Sequence, residues 1–497
     1  MNLLIILLTI PILATGVLLF PLSPKRAGQV NTLAMLATLC TALATIPIVL
    51  REGSMVAWEH ILRVDALSCL MITLVSCVSL LASFYSVGYW EGQTAEERGS
   101  FKKVRGYYAL FNLFVFSMLF VCTTDNFGLL WVALEATTLS SAFLVGYYNK
   151  KASLEAAWRY LILCSVGITF ALIGVILAYA SALHVAGSPE SALNWTYLLS
   201  VADQLDPMML KLAFVFAVVG FGTKAGLVPL HGWLPDAHSE APTPVSALLS
   251  GVLLKCAIYA IIRFAILVNH GVGEGFAGPI MLAFGLLSVG VVTPFILAQT
   301  HIKRLLGYHS IEHVGIITIG LGFGSPLAVF GALFHILNHA MTKALLFFTS
   351  GNLALRYQTM SMHNMQGALR VMPGTGAALL IGGLALAGAP PFSIFISEFL
   401  IVTAGIQSGN WLAVTLLILF LVIIFAALIH HFSRIALGIP SQPKQGQPSQ
   451  ATGEVNATTV WVLAFPLIAI IVLGWVIPTP LSRLLVDATT LISGGQP

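Results

Sequence analysis

Runs of about twenty apolar residues recur along nearly the whole chain, and each is long enough to cross the hydrocarbon core of a bilayer as a helix. Inside hydrocarbon every backbone N–H and C=O must be satisfied within the protein, so only helices or a closed barrel qualify. Alternating strand-like segments are absent from the sequence, which argues against a barrel. Only 8% of the 497 residues are charged and 58% are hydrophobic, against roughly 25% charged in soluble domains. The expected fold is an all-α polytopic membrane protein.

The ~20-residue rule predicts about fourteen spans. They fall near 2–22, 29–50, 66–90, 106–123, 126–148, 156–183, 208–229, 243–268, 277–298, 304–323, 326–352, 373–405, 411–435 and 458–478. The start, MNLLIILLTIPILATGVLLF, lacks a basic n-region and reads as a retained first span. Span seven is interrupted near Gly226 and Pro229, and span twelve at Gly388, Pro390 and Pro391. Interrupted helices in membranes occur where they line cavities, and they point to transport sites. The two breaks lie five spans apart, and an odd offset gives them opposite orientations. That is the pattern of two inverted five-helix repeats. The predicted organisation is an N-terminal three-helix region (1–105), a first repeat of spans 4–8 (106–268) and a second of spans 9–13 (277–435). A polar cytoplasmic loop (436–457) and a last span with an outer tail (458–497) follow.

Lysine and arginine alternate by side between these spans. One side holds Lys25, Arg26, Arg98, Lys102, Lys103, Arg105, Lys150, Lys151, Arg159, Lys303, Arg304, Arg356, Arg370, Arg434 and Lys444. The other holds Arg51, Arg63, Lys211, Arg263 and Arg483. The positive-inside rule makes the first side cytoplasmic and places both termini outside. The expected location is the prokaryotic cytoplasmic (inner) membrane. The six cysteines all lie in apolar segments without a C-x-x-C pair and read as packing residues. The longest polar stretch, SQPKQGQPSQATGEVN (441–456), reads as a flexible loop, so no soluble domain is left to hold an active site. Such a chain moves something across the membrane, or anchors something that does.

Within the spans stand Glu135, Lys224, Lys255, Glu312, Lys343 and Glu398, with His309, His313, His335 and His339. A mid-membrane charge costs about 2.5–3.5 kcal/mol on insertion scales, and such residues mark proton or ion paths. The plainer alternative is a set of frozen ion pairs that only hold helices together. His335, His339 and Lys343 recur at i, i+4, i+8 on one helical face, and histidine titrates near physiological pH. A single histidine of this kind is usually a packing residue; a stripe between lysines and glutamates suits proton hopping. A sodium path is harder to build, because sodium prefers oxygen ligands and these spans supply many nitrogens.

The segment HSIEH (309–313) matches H-x-x-E-H, the zinc pattern of an inverted metalloprotease helix. A protease also needs a third ligand and a cleft for peptide, and the sequence offers neither. A five-residue match arises often by chance. Glu312 and His313 are instead expected as a coupled protonation pair, with His309 beside them.

The phrases KAGLVPLHGWLPDAHSEAPTPVSALLSGVLLK, HIKRLLGYHSIEHVG, NHAMTKALLFFTSG and GAPPFSIFISEFLI resemble the proton-translocating antiporter-like subunits of respiratory complex I, Mrp-type cation/proton antiporters and formate hydrogenlyase-type membrane hydrogenases. The resemblance covers spans 4 to 13. SALLSGVLL, RLLGYHSIEHVG and GAPPFSIFISEF look closest to component F of hydrogenase 4. It implies a fourteen-helix fold with two five-helix inverted repeats. It also implies that Glu135 pairs with the broken-helix Lys224, that Lys255 is the central lysine, that His335, His339 and Lys343 form a relay, and that Glu398 is the terminal ionisable group.

The chain is thus expected to be a proton-translocating subunit of a redox-driven complex with no catalytic centre or cofactor of its own. Nickel–iron and iron–sulfur centres, or flavin and iron–sulfur, would sit in partner subunits. Expected partners are other antiporter-like subunits, a small multi-helix membrane subunit and a peripheral hydrogenase or dehydrogenase arm. No nucleic acid is expected. A complex I M-type subunit, an Mrp-type antiporter subunit and a purely structural anchor remain as alternatives.

Overall fold

The computed structural model describes residues 3–183, 185, 191–439 and 453–494. Most of the polar loop, including Lys444, lies outside the described residues, as does the beginning of the first predicted span. What is described is almost entirely helical. The longer helices, in chain order, are α1 (Leu3–Leu18), α2 (Pro24–Glu52), α3 (Ala66–Gly92), α4 (Phe101–Thr123), α5 (Phe127–Val145) and α6 (Lys151–Ala182). Then come α7 (Pro207–Ala225), α8 (Trp233–Glu240), α9 (Thr243–Val272), α10 (Ala277–Ala298), α11 (Ile302–Phe323) and α12 (Pro326–Tyr357). The chain continues through α13 (Pro373–Leu386), α14 (Ser393–Gln407), α15 (Trp411–Leu437), α16 (Ala457–Val472) and α17 (Thr479–Ile492).

Among the described residues, ten helices are long and apolar enough to cross a membrane, and four shorter apolar ones (α1, α13, α14 and α16) accompany them. The 22-residue α11 is not among either group; it carries Lys303, Arg304, Glu312 and two histidines of the HSIEH segment. Apart from Arg304, the polar side chains that make α11 a poor lipid-facing helix are buried in the protein, which encloses almost the whole of it.

Both predicted breaks are present. The helix α7 stops at Gly226, whose φ of 81° is left-handed and favours glycine. The carbonyls and amides freed there find partners: Trp233 Nε1 donates to Thr223 O at 2.9 Å, and the Val228 amide donates to Ser288 Oγ at 3.0 Å. The chain then resumes as α8. The second break separates α13 from α14 at Gly388, φ 72°. Here Asn338 Nδ2 donates to Ser393 O at 2.9 Å. Buried side chains replace the helical bonds that hydrocarbon could not supply.

Four features depart from the sequence reading. A short antiparallel hairpin, Ser54–Ala57 with Leu62–Asp65, precedes α3. The helix α9 contains a π turn, Leu249–Leu253. The residues after α16 form the amphipathic helix α17, which buries Leu484, Leu485 and Ala488 and packs on α3 and α12. Finally, Arg263 is no loop charge: it lies within α9, 5% exposed, and makes a two-pronged ion pair with Asp65, both contacts at 2.7 Å. Ser68 Oγ accepts a further bond from Arg263 Nη2, and Trp195 and Tyr259 flank the guanidinium.

Candidate functional site

The two broken helices bring the intramembrane charges into one buried row. Glu135 on α5 is half-buried. Its Oε1 accepts from Ser165 Oγ (3.1 Å) and its Oε2 from Thr138 Oγ1 (3.3 Å). Lys224, the penultimate residue of α7, is 1% exposed. It donates to Thr138 Oγ1 (2.5 Å) and to Tyr160 OH (2.9 Å). The expected Glu135–Lys224 ion pair is therefore not a direct contact. The Thr138 hydroxyl stands between the two charges, accepting from the lysine and donating to the carboxylate. A one-turn spacing on α5 puts Thr138 beside Glu135, a local relation the sequence carried but that only gained meaning once α7 was placed.

Lys255 is fully buried on α9. Its Nζ donates to Ser250 O, a carbonyl of the π turn. A π turn shifts the helical ladder by one residue and frees backbone groups, and such turns recur at functional sites. From there a hydrogen-bonded chain continues. Ser250 Oγ and Ser310 Oγ are 2.7 Å apart, Ser310 Oγ donates to Leu306 O (2.9 Å), and Lys343 Nζ donates to the same carbonyl (2.7 Å). Lys255 and Lys343 are thus held on two carbonyls, Ser250 O and Leu306 O, whose segments meet through the Ser250–Ser310 hydroxyl contact.

Beyond Lys343 stand the histidines. His309 Nδ1 contacts Glu312 Oε2 at 2.5 Å. The direct partner of Glu312 is thus His309 and not His313, because an i, i+3 spacing brings the first two side chains over one another. His313 instead reaches across to α12: its Nδ1 lies 2.9 Å from His335 Nε2, and its ring stacks on His339 at 4.6 Å between centroids. His335 Nδ1 is held by Ser397 Oγ at 2.9 Å. Glu398, 8% exposed, ends the row. Its carboxylate lies against Gly388, where a Cβ would collide with Oε2. Pro390 and Pro391 follow in the same break, as Pro229 follows Gly226 in the other.

Two sets of potential metal ligands result, His309–Glu312–His313 and His313–His335–Glu398, each with its donor atoms within 4.8 Å of one another. The first is the HSIEH segment. Its strongest internal contact is a histidine–carboxylate hydrogen bond, and its surroundings are packed helices rather than a substrate cleft. That geometry suits proton sharing.

Sequence reasoning missed two site residues. Lys303, counted among the loop charges, is 2% exposed and donates to Ala241 O at 2.5 Å. His238 on α8 is fully buried and stacks on Phe347, with centroids 5.1 Å apart. Its signal was available, as a histidine in the apolar-flanked phrase that follows the first break, but nothing in the spacing showed which helices it would face.

Two broken helices and a row of lysine, histidine and glutamate inside a polytopic helical protein are features that mark ion paths in membranes. Residues 124–424 match the family described as NADH:quinone oxidoreductase/Mrp antiporter, TM, and residues 55–98 match that of the NADH-ubiquinone oxidoreductase (complex I) chain 5 N-terminus. The chain belongs to this family of antiporter-like membrane subunits. It is 39% identical over 377 residues to a hydrogenase-4 component F homolog of Methylacidiphilum infernorum, covering 76% of this chain and 79% of the relative. It is 34% identical over 368 residues to NADH-quinone oxidoreductase subunit N of Desulforudis audaxviator, covering 73% and 70%. In fold it is similar to a chain of the Mrp complex from a Dietzia species, with a TM-score of 0.85 at 20% identity over 99% of this chain and 96% of that one.

Proposed function

We propose that the chain is a proton-translocating membrane subunit of a redox-driven complex, of the energy-converting hydrogenase class related to hydrogenase 4. The observation that carries this reading is the row of ionisable side chains from half-buried Glu135 to Glu398, which spans both broken helices and holds Lys255 and Lys343 on the neighbouring carbonyls of Ser250 and Leu306. Similarity to a hydrogenase-4 component F homolog supports the branch.

In this scheme Lys224 is held charged by Glu135 through Thr138. A movement transmitted from a neighbouring subunit withdraws the carboxylate, and the desolvated ammonium then passes its proton on to the Lys255 amine. Lys255 passes its proton to Lys343 across the α11 segment, the Ser250 and Leu306 carbonyls holding the two amines in place. His313 and His335 pass them on, each ring accepting at one nitrogen and releasing from the other. Glu398 exchanges with the outer face, with both chain termini on that side. Partner subunits would carry nickel–iron and iron–sulfur centres, which supply the electron transfer that drives the cycle. A complex I-type role is the second reading, favoured by the 34% identity to an NADH-quinone oxidoreductase subunit.

The test is purification of the tagged chain with its partners in mild detergent, with metal analysis, beside a Lys224→Ala variant. A hydrogenase large subunit with nickel, and loss of proton movement in the variant at normal assembly, are the expected results. Flavin-bearing quinone-reductase partners without nickel would move the chain to complex I. Undiminished pumping by Lys224→Ala would overturn the translocation scheme, and failure of Glu398→Gln to assemble would favour a structural anchor.

A further inference from the structure

A cavity of about 230 Å³ opens beside the last turns of α15, at the lysine- and arginine-rich face and outside the row of ionisable groups. Three segments meet there: the end of α10 at Leu297, the loop after α12 at His363, and α15 at His430, His431 and Arg434. No carboxylate among the described residues lines it. Two other cavities at the same face differ in this respect, one lined by Glu97 and Glu240 and one by Glu155 and Asp236. The lining beside α15 therefore suits an anion.

Its donors are largely uncommitted. Arg159 and Arg304 are both held by Asp236 at 3.0 Å, but no carboxylate among the described residues pairs with Arg434. The contact its guanidinium makes is long: Arg434 Nη2 donates to His363 Nδ1 over 3.5 Å. A neutral imidazole that accepts at Nδ1 carries its proton on Nε2, so His363 presents a second donor. His431 Nε2 donates to Ile296 O at 3.2 Å and braces α15 against α10. The exposed His430 ring, the His363 Nε2–H and the rest of the Arg434 fork remain for a ligand. A planar guanidinium matches two oxygens of a phosphate at once.

The pattern of α15 shows what carries that phosphate. Ile418, Val422, Ala426, His430 and Arg434 recur every four residues, and all five are exposed. Residues at that spacing share one helical face, so a single stripe runs from hydrocarbon-like to cationic along the helix. Leu297 of α10, 50% exposed, widens its apolar side next to the cavity. A free inorganic anion would use only the cationic end. The whole stripe matches an amphiphile with an anionic head and hydrocarbon tails, and basic pockets between spans hold such headgroups.

We propose that this cavity binds the phosphate of an anionic phospholipid, with Arg434, His430 and His363 on the headgroup and the acyl chains along the Ile418–Val422–Ala426 stripe. The lipid ties the α12–α13 loop to α10 and α15. This site is independent of the ion path and stands or falls apart from it.

The experiment is photolabelling of the assembled complex in mild detergent with a phosphatidylglycerol analogue that carries a diazirine in one acyl chain. Peptide mapping reads the label on α15. The matching phosphatidylcholine analogue, whose headgroup has no net charge, is the control. The expected result is labelling of α15 by the anionic probe at least fivefold above the control, falling about tenfold in the double variant Arg434→Gln, His430→Gln. Equal labelling by the two analogues would mean ordinary boundary lipid and overturns the proposal. Unchanged labelling in the double variant overturns it too. Loss of the label to millimolar inorganic phosphate at constant ionic strength would assign the pocket to the free anion instead. No labelling of α15 in the wild-type complex, the result if a neighbouring subunit covers the pocket, also overturns it. Should the double variant fail to assemble, the comparison of the two analogues on wild type decides alone.

Discussion

Lys224 and Glu135 meet through a single hydroxyl: Thr138 accepts from the lysine at 2.5 Å and donates to the carboxylate at 3.3 Å. The hydroxyl conducts the electrostatic relation while keeping the charges out of direct contact. A bridged pair opens more readily than a bidentate one, because a single long hydrogen bond ties the carboxylate to the bridging hydroxyl. Replacing Thr138 by valine preserves shape and removes the bridge. Proton translocation is expected to fall about tenfold, equivalent to about 1.4 kcal/mol on the barrier, with unchanged assembly. A dye-based pumping assay on membrane vesicles reads this directly.

The Ser250–Ser310 contact makes a similarly sharp prediction. It ties the turn whose carbonyl holds Lys255 to the α11 segment whose carbonyl holds Lys343. Either serine changed to alanine leaves the lysines in place but cuts the link. Both single variants, and the double, are expected to show the same several-fold loss of pumping, since cutting one link twice adds nothing. Additive losses would show that the serines act separately.

The Asp65–Arg263 pair is a structural clamp between the start of α3 and the middle of α9. Burial alone would raise the Asp65 carboxyl, but the paired guanidinium outweighs it and holds the group below the usual carboxylate range. The pair therefore stabilises the fold above the ordinary aspartate pKa, and that contribution is lost as pH falls through the lowered one. Asp65→Asn leaves the buried guanidinium uncompensated and is expected to cost about 3–5 kcal/mol, read as a large drop in thermal stability in detergent. The deficit should be constant from pH 6 to 8, where the wild-type aspartate remains ionised.

His301 gives a pH dependence of the same sign in a higher window. Its folded pKa is depressed to about 4, below the unfolded value near 6.5. Between those values the unfolded chain binds a proton that the native chain does not, so stability falls as pH drops from 6.5 toward 4. Thermal melts of wild type and His301→Gln should diverge in slope over that window, with the variant flatter. Parallel slopes would show that folding does not shift the His301 pKa.

Gly388→Ala tests the second break. The position has a left-handed φ of 72°, and a Cβ would meet the Glu398 carboxylate. The backbone term alone costs about 1–2 kcal/mol. Displacement of Glu398 should reduce proton translocation beyond the fraction explained by lower assembly, measured by normalising pumping to the amount of intact complex.

Helix-forming segments, both breaks and the intramembrane charges were all legible in the linear sequence. Each is a local property: apolar runs of membrane length, Gly–Pro interruptions, and charges too costly to leave in hydrocarbon without use. Gly226 and Gly388 marked the breaks correctly for that reason. What the sequence could not determine was partnership. Glu312 pairs with His309, while His313 crosses to His335; Lys303 and Arg263 read as loop charges yet are buried; His238 and the π turn at Leu249–Leu253 were not foreseen. These depend on which helix faces which. In a chain where nearly every face is apolar, hydrophobic periodicity does not orient the helices, so close packing and polar satisfaction between residues far apart in sequence made that choice.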